Sequence, residues 1–307
     1  MEVAQLRALR ELRDRGSIAA VARAFHVTPS AVSQQLAALQ RSAGVPLTRR
    51  DGRRTVLTGA GTALADAAVD VETALAAARD AVSSYLAEAG ATVSVSAFSS
   101  AALAFFPGLL TAQVPGHPRI ELHDHDVEEG GDPPLAADLD LVIAPRLGDG
   151  PPWPRQVVAT PLLTEPLDLA FRAGHPLDTP GPLAAADLRG ARWIAVHEDF
   201  PLADAVRVIG AAAGAEPVVA HRVNEFALAA ALLSGSDLVA LLPRHTSAAY
   251  RSPGLRLRAL PRPLSITRHV DVLARPEALR RTAVQAVLRT LHGLASDLVR
   301  AGPVAAS

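Results

Sequence analysis

The chain has 307 residues, is 49% hydrophobic and has a mean hydropathy of +0.20, enough for two or three domains with cores of their own, yet no apolar run reaches the ~18–20 residues of a membrane span. It has no cysteine, which excludes disulfide frameworks and thiolate chemistry, and the Met1–Arg7 stretch has no basic-then-apolar export signal, so a cytoplasmic location is the expectation. The net charge of −1 hides an asymmetry: residues 1–58 carry ten Arg against four acids and the remainder 20 Arg against 27, so a basic head precedes an acidic body.

All 30 basic residues are Arg and Ala is abundant, which reads first as composition bias, so an isolated Arg carries little weight. Val3, Leu6, Leu9 and Leu12 mark a first amphipathic helix ending near Arg15-Gly16. Ser17 can cap a second helix running to Phe25. After the break His26-Val27-Thr28, Thr28 can cap a third helix that opens on Pro29, where the missing N–H costs nothing. Val32, Leu36 and Leu39 form its buried stripe, and the predicted core of the unit is Leu6, Leu9, Val21, Phe25, Val32, Leu36 and Leu39. Ser30, Ser33, Gln34 and Gln35 lie off the stripe. A pinned helix with such a face is what reading major-groove base edges requires, although these residues alone suit an ordinary surface hairpin equally well.

The next stretch shifts the balance. Asp51-Gly52 is a tight-turn dipeptide flanked by Arg49, Arg50, Arg53 and Arg54, so a two-stranded wing would present guanidinium groups on both arms, fit for phosphate or minor-groove contact. From Gly59 to Glu88 runs a Pro-free, Ala-rich helix, capped by Thr58 and about 45 Å long. Its seam Leu64, Ala68, Val71, Leu75, Ala78, Val82 and Tyr85 alternates by four and three, which favours pairing with a second helix.

Ala89-Gly90-Ala91 breaks that helix. Residues 92–98 alternate as a strand, Ser99-Ser100 follows, and a helix opens near Ala101. Then come a strand at Ile120–His123, a Pro/Gly loop near Gly130–Pro134, a short apolar strand at Leu139–Ile143 and a rigid loop at Pro151–Pro154. Strands and helices alternate through to about residue 300, which predicts an α/β body with mostly parallel strands. His123-Asp124-His125-Asp126 has the composition of a metal cluster, but a strand places only two ligands on each face, so no metal is assigned and a solvated edge is expected.

Along essentially its whole length the sequence resembles the LysR-type transcriptional regulators. The resemblance rests on Gly16-Ser17-Ile18, His26-Val27-Thr28-Pro29-Ser30-Ala31-Val32-Ser33-Gln34-Gln35-Leu36, Gly44-Val45-Pro46-Leu47, Arg53-Arg54 and Leu57-Thr58-Gly59-Ala60-Gly61. More loosely, it extends to Leu139-Asp140-Leu141-Val142-Ile143, Leu167–Leu177 and Leu238–Pro243 in the body. Three departures stand out: Thr48, where the family usually has Phe, Ser234-Gly235-Ser236-Asp237, and the acidic, Pro/Gly-rich loop at 130–134.

The resemblance implies an α/β fold with an all-α winged helix-turn-helix head over 1–58, a linker dimerisation helix over 59–90, and a two-lobed, periplasmic-binding-protein-like effector domain over 91–301. Lobe one is expected at 91–163 and 266–301, lobe two at 164–265. It further implies a non-enzymatic homodimer, assembling further to a homotetramer, that binds double-stranded promoter DNA, needs no cofactor and answers to a small effector, anionic or amino-acid-like. Ser33, Gln34 and Gln35 are expected at base edges, and Thr28, Ser30, Arg49, Arg50, Arg53 and Arg54 at phosphates. For the effector, Ser99 and Ser100 end a strand and open a helix, Arg146 can neutralise a carboxylate, and His197, Glu198, Asn224 and Phe226 are the matching edges in lobe two. Two rivals remain open at this stage, an architectural DNA binder without effector control and an enzyme fused to a DNA-binding head. The latter lacks any nucleophile elbow or phosphate-binding Gly-rich loop.

Overall fold

The computed structural model describes residues 1–52, 54–85, 91–113, 116–125, 136–148, 150–198, 200 and 202–302. The head begins with helices α1 (Val3–Arg15), α2 (Ile18–Phe25) and α3 (Pro29–Ala43). Their ends are set by local chemistry. Gly16, at φ 71°, closes α1; the Ser17 hydroxyl accepts from Ala20 N at 3.1 Å; and Thr28 Oγ1 accepts from Ala31 N at 3.2 Å. Leu6, Leu9, Leu12, Val21, Val32, Leu36 and Leu39 are buried together. Phe25, expected in that core, sits at its edge instead, with the Arg7 guanidinium 5.2 Å from its ring.

The wing pairs β1 (Thr48–Asp51) with β2 (Arg54–Leu57) in antiparallel register. The long helix α4 (Gly59–Tyr85) follows, with Thr58 Oγ1 accepting from Gly61 N at 3.0 Å; its 27 residues span about 40 Å, and residues 86–88 of the predicted helix lie outside the described residues. Gly61 is where α4 touches the wing: a Cβ there would stand 2.0 Å from the Leu47 carbonyl oxygen. Ala65 and Ala68 pack into the head, while Val71 and Val82 farther along are exposed.

The body contains β3 (Thr92–Phe98), α5 (Ser99–Thr111), β4 (Arg119–His125), β5 (Leu141–Leu147), β6 (Val158–Arg172), β7 (Arg192–Ala195), α6 (Ala203–Ala213), β8 (Val218–Arg222), α7 (Phe226–Leu233), β9 (Leu238–Pro243), β10 (Leu255–Arg258), β11 (Ile266–Ala274) and α8 (Thr282–Ala301). One sheet runs through it in the order β4-β3-β5-β11-β6-β9-β7-β8, with β10 on β6. Two parallel triplets, β4-β3-β5 and β8-β7-β9, form the two lobes. The expectation of mostly parallel strands needs correction. The long strands β6 and β11 cross between the lobes, and their pairings with β5, β9 and each other are antiparallel. A chain that passes from one lobe to the other and back has to run in opposite directions on the two passes.

Each lobe has its own core. Val93, Val95, Phe105, Leu109, Ile143, Val270 and Leu291 pack in the first, and Leu169, Phe171, Trp193, Ile209, Leu233 and Val239 in the second. Three boundaries differ from the sequence reading: α5 opens at Ser99, β4 extends to His125, and the strand expected at 139–143 occupies Leu141–Leu147. No helix of the described residues is long and apolar enough to cross a membrane.

Candidate nucleic-acid interface and interlobe cavity

In the head, α3 turns Val32, Leu36 and Leu39 inward and leaves Thr28, Ser30, Ser33 and Gln34 exposed; Gln35 is half-buried. The Ser33 hydroxyl donates to Pro29 O at 2.9 Å. Arg49, Arg50 and Arg54 are exposed on the wing beside this helix, and Arg53 lies outside the described residues. The two parts are joined by a residue the sequence reading missed. Gln40 Oε1 accepts from Leu47 N at 2.8 Å, Thr48 N at 2.9 Å and Thr48 Oγ1 at 3.2 Å. One amide oxygen on the last turns of α3 thus fixes where the wing starts. Thr48, singled out as a departure, contributes its hydroxyl to that junction.

The lobes enclose a cavity of about 340 Å³, in the size range of small-molecule sites. Both lobes present the carboxyl ends of their parallel strands to it, the usual place for a ligand in such sheets. Lobe one contributes Phe98, Ser99 and Ser100 at the β3–α5 junction, His125 at the end of β4, and Pro145, Arg146 and Leu147 at the end of β5. Lobe two contributes Phe200, Leu202, Asn224, Glu225 and Phe226, and the crossover strand β11 contributes Arg268. A larger hollow of about 810 Å³ lies along α4 and the first lobe, but there Arg281 already pairs with Asp140, and Asp80 with Thr282, so the interlobe cavity is the better candidate.

Arg268 dominates the polar chemistry of the cavity. Its side chain is 5% exposed, and its guanidinium carbon stands 5.0 Å from the centre of the Phe98 ring and 5.7 Å from that of Phe226. It donates to Glu165 Oε1 from Nε at 3.2 Å and from Nη2 at 2.5 Å, to Thr246 Oγ1 at 2.9 Å and to Ser100 Oγ at 3.3 Å. Glu165, fully buried, also accepts from His245 N, Thr246 N and Thr246 Oγ1. Burial pushes its carboxyl up, but Arg268 and these backbone donors outweigh it and hold the group below the usual glutamate range. The pair sits on β6 and β11, where the chain crosses between lobes, with Ser100 from one lobe and Thr246 from the other joined to the same guanidinium.

Of the residues expected at the effector, Ser99, Ser100, Arg146, Asn224 and Phe226 line the cavity. His197 and Glu198 do not: both are exposed, and Glu198 reaches outward to Arg222 at 3.0 Å. That loop meets the cavity one step later, at Phe200 and Leu202, while the His197 backbone N–H donates to Asn224 Oδ1 at 2.8 Å and fixes the amide that does face it. Arg146 lies within β5 and not beyond it. Its Nε is 3.8 Å from Asp271 and makes no hydrogen bond among the described residues. Arg268 went unremarked in the sequence, although its phase with Val270 and Val272 on the buried face of β11 was a usable signal. Among the described residues no group of His, Cys, Asp or Glu is placed to hold a metal, and His125 Nδ1 lies 2.7 Å from Ser96 Oγ; Asp126 falls outside them.

Comparison with known proteins agrees with both halves of this geometry. Residues 3–62 match the family model described as a bacterial regulatory helix-turn-helix protein of the lysR family, and residues 87–296 match the LysR substrate binding domain. The transcriptional dual regulator GltC of Bacillus subtilis is 28% identical over 253 residues, covering 81% of this chain and 82% of that one. Among solved structures, a full-length OxyR variant from Pseudomonas aeruginosa aligns with a TM-score of 0.61 at 17% identity, over 96% of this chain and 94% of its own. CbnR in complex with its target DNA aligns at 0.52 and 23% identity, over 96% of this chain and 100% of its own; at these identities the likeness is one of fold.

Proposed function

We propose, starting from the plain fact that the chain belongs to the LysR family of transcriptional regulators, that it reads one promoter through α3 and reports one small molecule through the interlobe cavity. Ser33, Gln34 and Gln35 meet base edges, where a bidentate amide on adenine discriminates by ~1–3 kcal/mol. Thr28, Ser30, Arg49, Arg50, Arg53 and Arg54 hold phosphates. The observation that carries this reading is an exposed polar face on α3 beside an arginine wing, both held in fixed relation by Gln40.

The protein works as a homodimer paired along α4, whose Val71 and Val82 lie exposed in the single chain, with two dimers joining on DNA as a tetramer. A two-fold dimer reads half-sites about one helical turn apart or a multiple of it. The domains divide at 58 and 90, with lobe one at 91–163 and 266–301. The effector is anionic or amino-acid-like. Ser99, Ser100 and the start of α5 suit a carboxylate beside Arg146, and Glu225 suits an amino group. The cavity binds this molecule without turning it over, requires no cofactor, and the whole operates in the cytoplasm, where the chromosome is.

Footprinting of the gene's own upstream region, with and without a metabolite panel, tests the reading. The parent chain should protect paired sites with a clear preference over scrambled duplex, and one class of small acid should alter the protected pattern and be recovered unchanged. Replacing Gln34 and Gln35 with Ala should flatten the preference; if it survives, these amides do not read bases. Coating of all duplexes alike, with no metabolite response, would point instead to an architectural binder.

A further inference from the structure

The first helix carries charges that DNA recognition does not use, and they are buried. The Arg10 side chain is 0% exposed. Its guanidinium pairs with Glu72 of α4, with Glu277 just beyond β11 at 2.8 Å, and lies 3.7 Å from Asp14. Arg275, also just beyond β11, pairs with Glu11 and, at 3.0 Å, with Asp14. Arg15 holds Glu11 at 2.5 Å and reaches Asp138 of the first lobe at 2.5 Å. Head, linker helix and first lobe therefore meet in one charge network.

Burying ions costs several kcal/mol each, so such a network is a poor way to gain stability and a good way to fix geometry. The acids outnumber the bases at its centre. Burial and the nearby Glu277 push the Glu72 carboxyl above its usual range despite Arg10, whereas at Glu11 the pairing with Arg275 and Arg15 outweighs burial and holds the group below it. Arg10 is the group through which Glu72 and Glu277 are held together, and among the described residues it is the one side chain of α1 with ion pairs to both linker and lobe.

The position of the network along the chain gives it a consequence. β11 lines the cavity with Arg268, its third residue, and ends at Ala274, one residue before Arg275. Seven residues of strand, roughly 23 Å, separate the guanidinium that bridges both lobes from the one that grips α1. β11 is hydrogen-bonded on both sides, to β5 in unbroken register from Arg268 to Leu273 and to β6 with one register shift between Val270 and Asp271, so a displacement at one end has a paired strand along which to reach the other.

We infer that Arg10 is a positioning residue that receives this displacement: with Glu72 and Glu277 it locks the winged head to the distal end of β11, so that a change in the cavity turns the head on DNA. The inference rests on the regulator reading above and adds the route by which the cavity reaches the DNA. Without the lock, the head swivels about the start of α4, and the signal is lost while both binding sites remain whole.

The absence of native cysteines allows the test. Cysteines introduced at Arg23 on α2 and Arg289 on α8, both exposed, carry spin labels, and labelled chains are diluted with unlabelled ones so that only distances within one chain are read. The otherwise unchanged chain should give a single narrow head-to-lobe distance. Arg10→Met and Glu277→Gln should each lose that narrow peak, and Arg10→Lys should largely restore it. Each variant should keep the parent's affinity for a single half-site, since Arg10 is buried on α1 and Glu277 lies beyond β11, both apart from the exposed face of α3. Glu277→Gln decides the matter should Arg10→Met melt early. Distances in Glu277→Gln as narrow as the parent's would overturn the inference. Failure of the regulator reading would show separately, as a parent chain blind to its upstream DNA, and the signalling role assigned to Arg10 would fall with it.

Discussion

Replacing Arg268 with Met is the sharpest test of how the two lobes are held. Among the described residues the change removes two of the five hydrogen bonds to Glu165 and the one charge paired with it, leaving a fully buried carboxylate with donors from His245 N, Thr246 N and Thr246 Oγ1. Breaking a buried pair by deleting one partner costs ~3–5 kcal/mol. For the roughly 210-residue substrate-binding region, each kcal/mol moves the midpoint by ~2–4 °C, so Arg268→Met should melt about 10 °C lower at pH 7. Met keeps the apolar contact with Phe98 and Phe226, so lost packing is a minor part of the cost. Adding Glu165→Gln to Arg268→Met removes the stranded charge and should recover at least half of the loss.

Acidity gives an independent check on the same pair. In the parent, Glu165 titrates below the usual range, so the stability it contributes is present above the ordinary glutamate pKa of about 4.3 and is lost as pH falls through its lowered folded value. In Arg268→Met the attraction of the guanidinium is gone and only the His245 and Thr246 donors still oppose burial, so that pKa rises and the deficit should shrink as pH is lowered toward 5. Calorimetry across pH on the parent, both single variants and the double variant measures all of this. A midpoint within about 2 °C of the parent for Arg268→Met, or strictly additive single effects, would refute the argument that this ion pair is the joint between lobes.

Three further outcomes follow from the head. Gln40→Leu strands the Leu47 and Thr48 amides at a cost of ~1–3 kcal/mol, and their hydrogen exchange should quicken well before that of α3; unchanged exchange would show that the wing is anchored elsewhere. Arg49→Gln and Arg54→Gln should each weaken binding alike on all sequences and lower the salt slope by about 0.9 if one phosphate contact is lost, a result that salt titrations with specific and random duplex will read. Gly61→Ala puts a Cβ 2.0 Å from a backbone oxygen that cannot retreat as a side-chain tip could, so the head should unfold at a lower temperature than the parent and lose its DNA affinity; a head that melts like the parent would mean the α4–wing contact is loose.

What could be read from the sequence was local. Ser17, Thr28 and Thr58 announce helix starts because a hydroxyl reaches an amide three residues on, and each does so here. The stripe of Val32, Leu36 and Leu39 likewise specifies which face of α3 is left for a partner, since the helical period admits one answer. The charge of the head and the length and seam of α4 needed no folding to be seen. The tertiary structure alone decided the cavity and the network. Glu165 and Arg268 are 103 residues apart and become neighbours only through the antiparallel register of β11 on β6. His197 and Phe200 are three residues apart, yet only the second enters the cavity, because the tie from His197 N to Asn224 turns the loop at that point. Arg10 looks like any surface arginine of an amphipathic helix until Glu72 and Glu277 arrive from 62 and 267 residues away. Capping and periodicity act within one turn of backbone, where the residue types settle the outcome. Which charges meet across a hundred residues depends on how whole sheets and helices pack, and no window of sequence contains that.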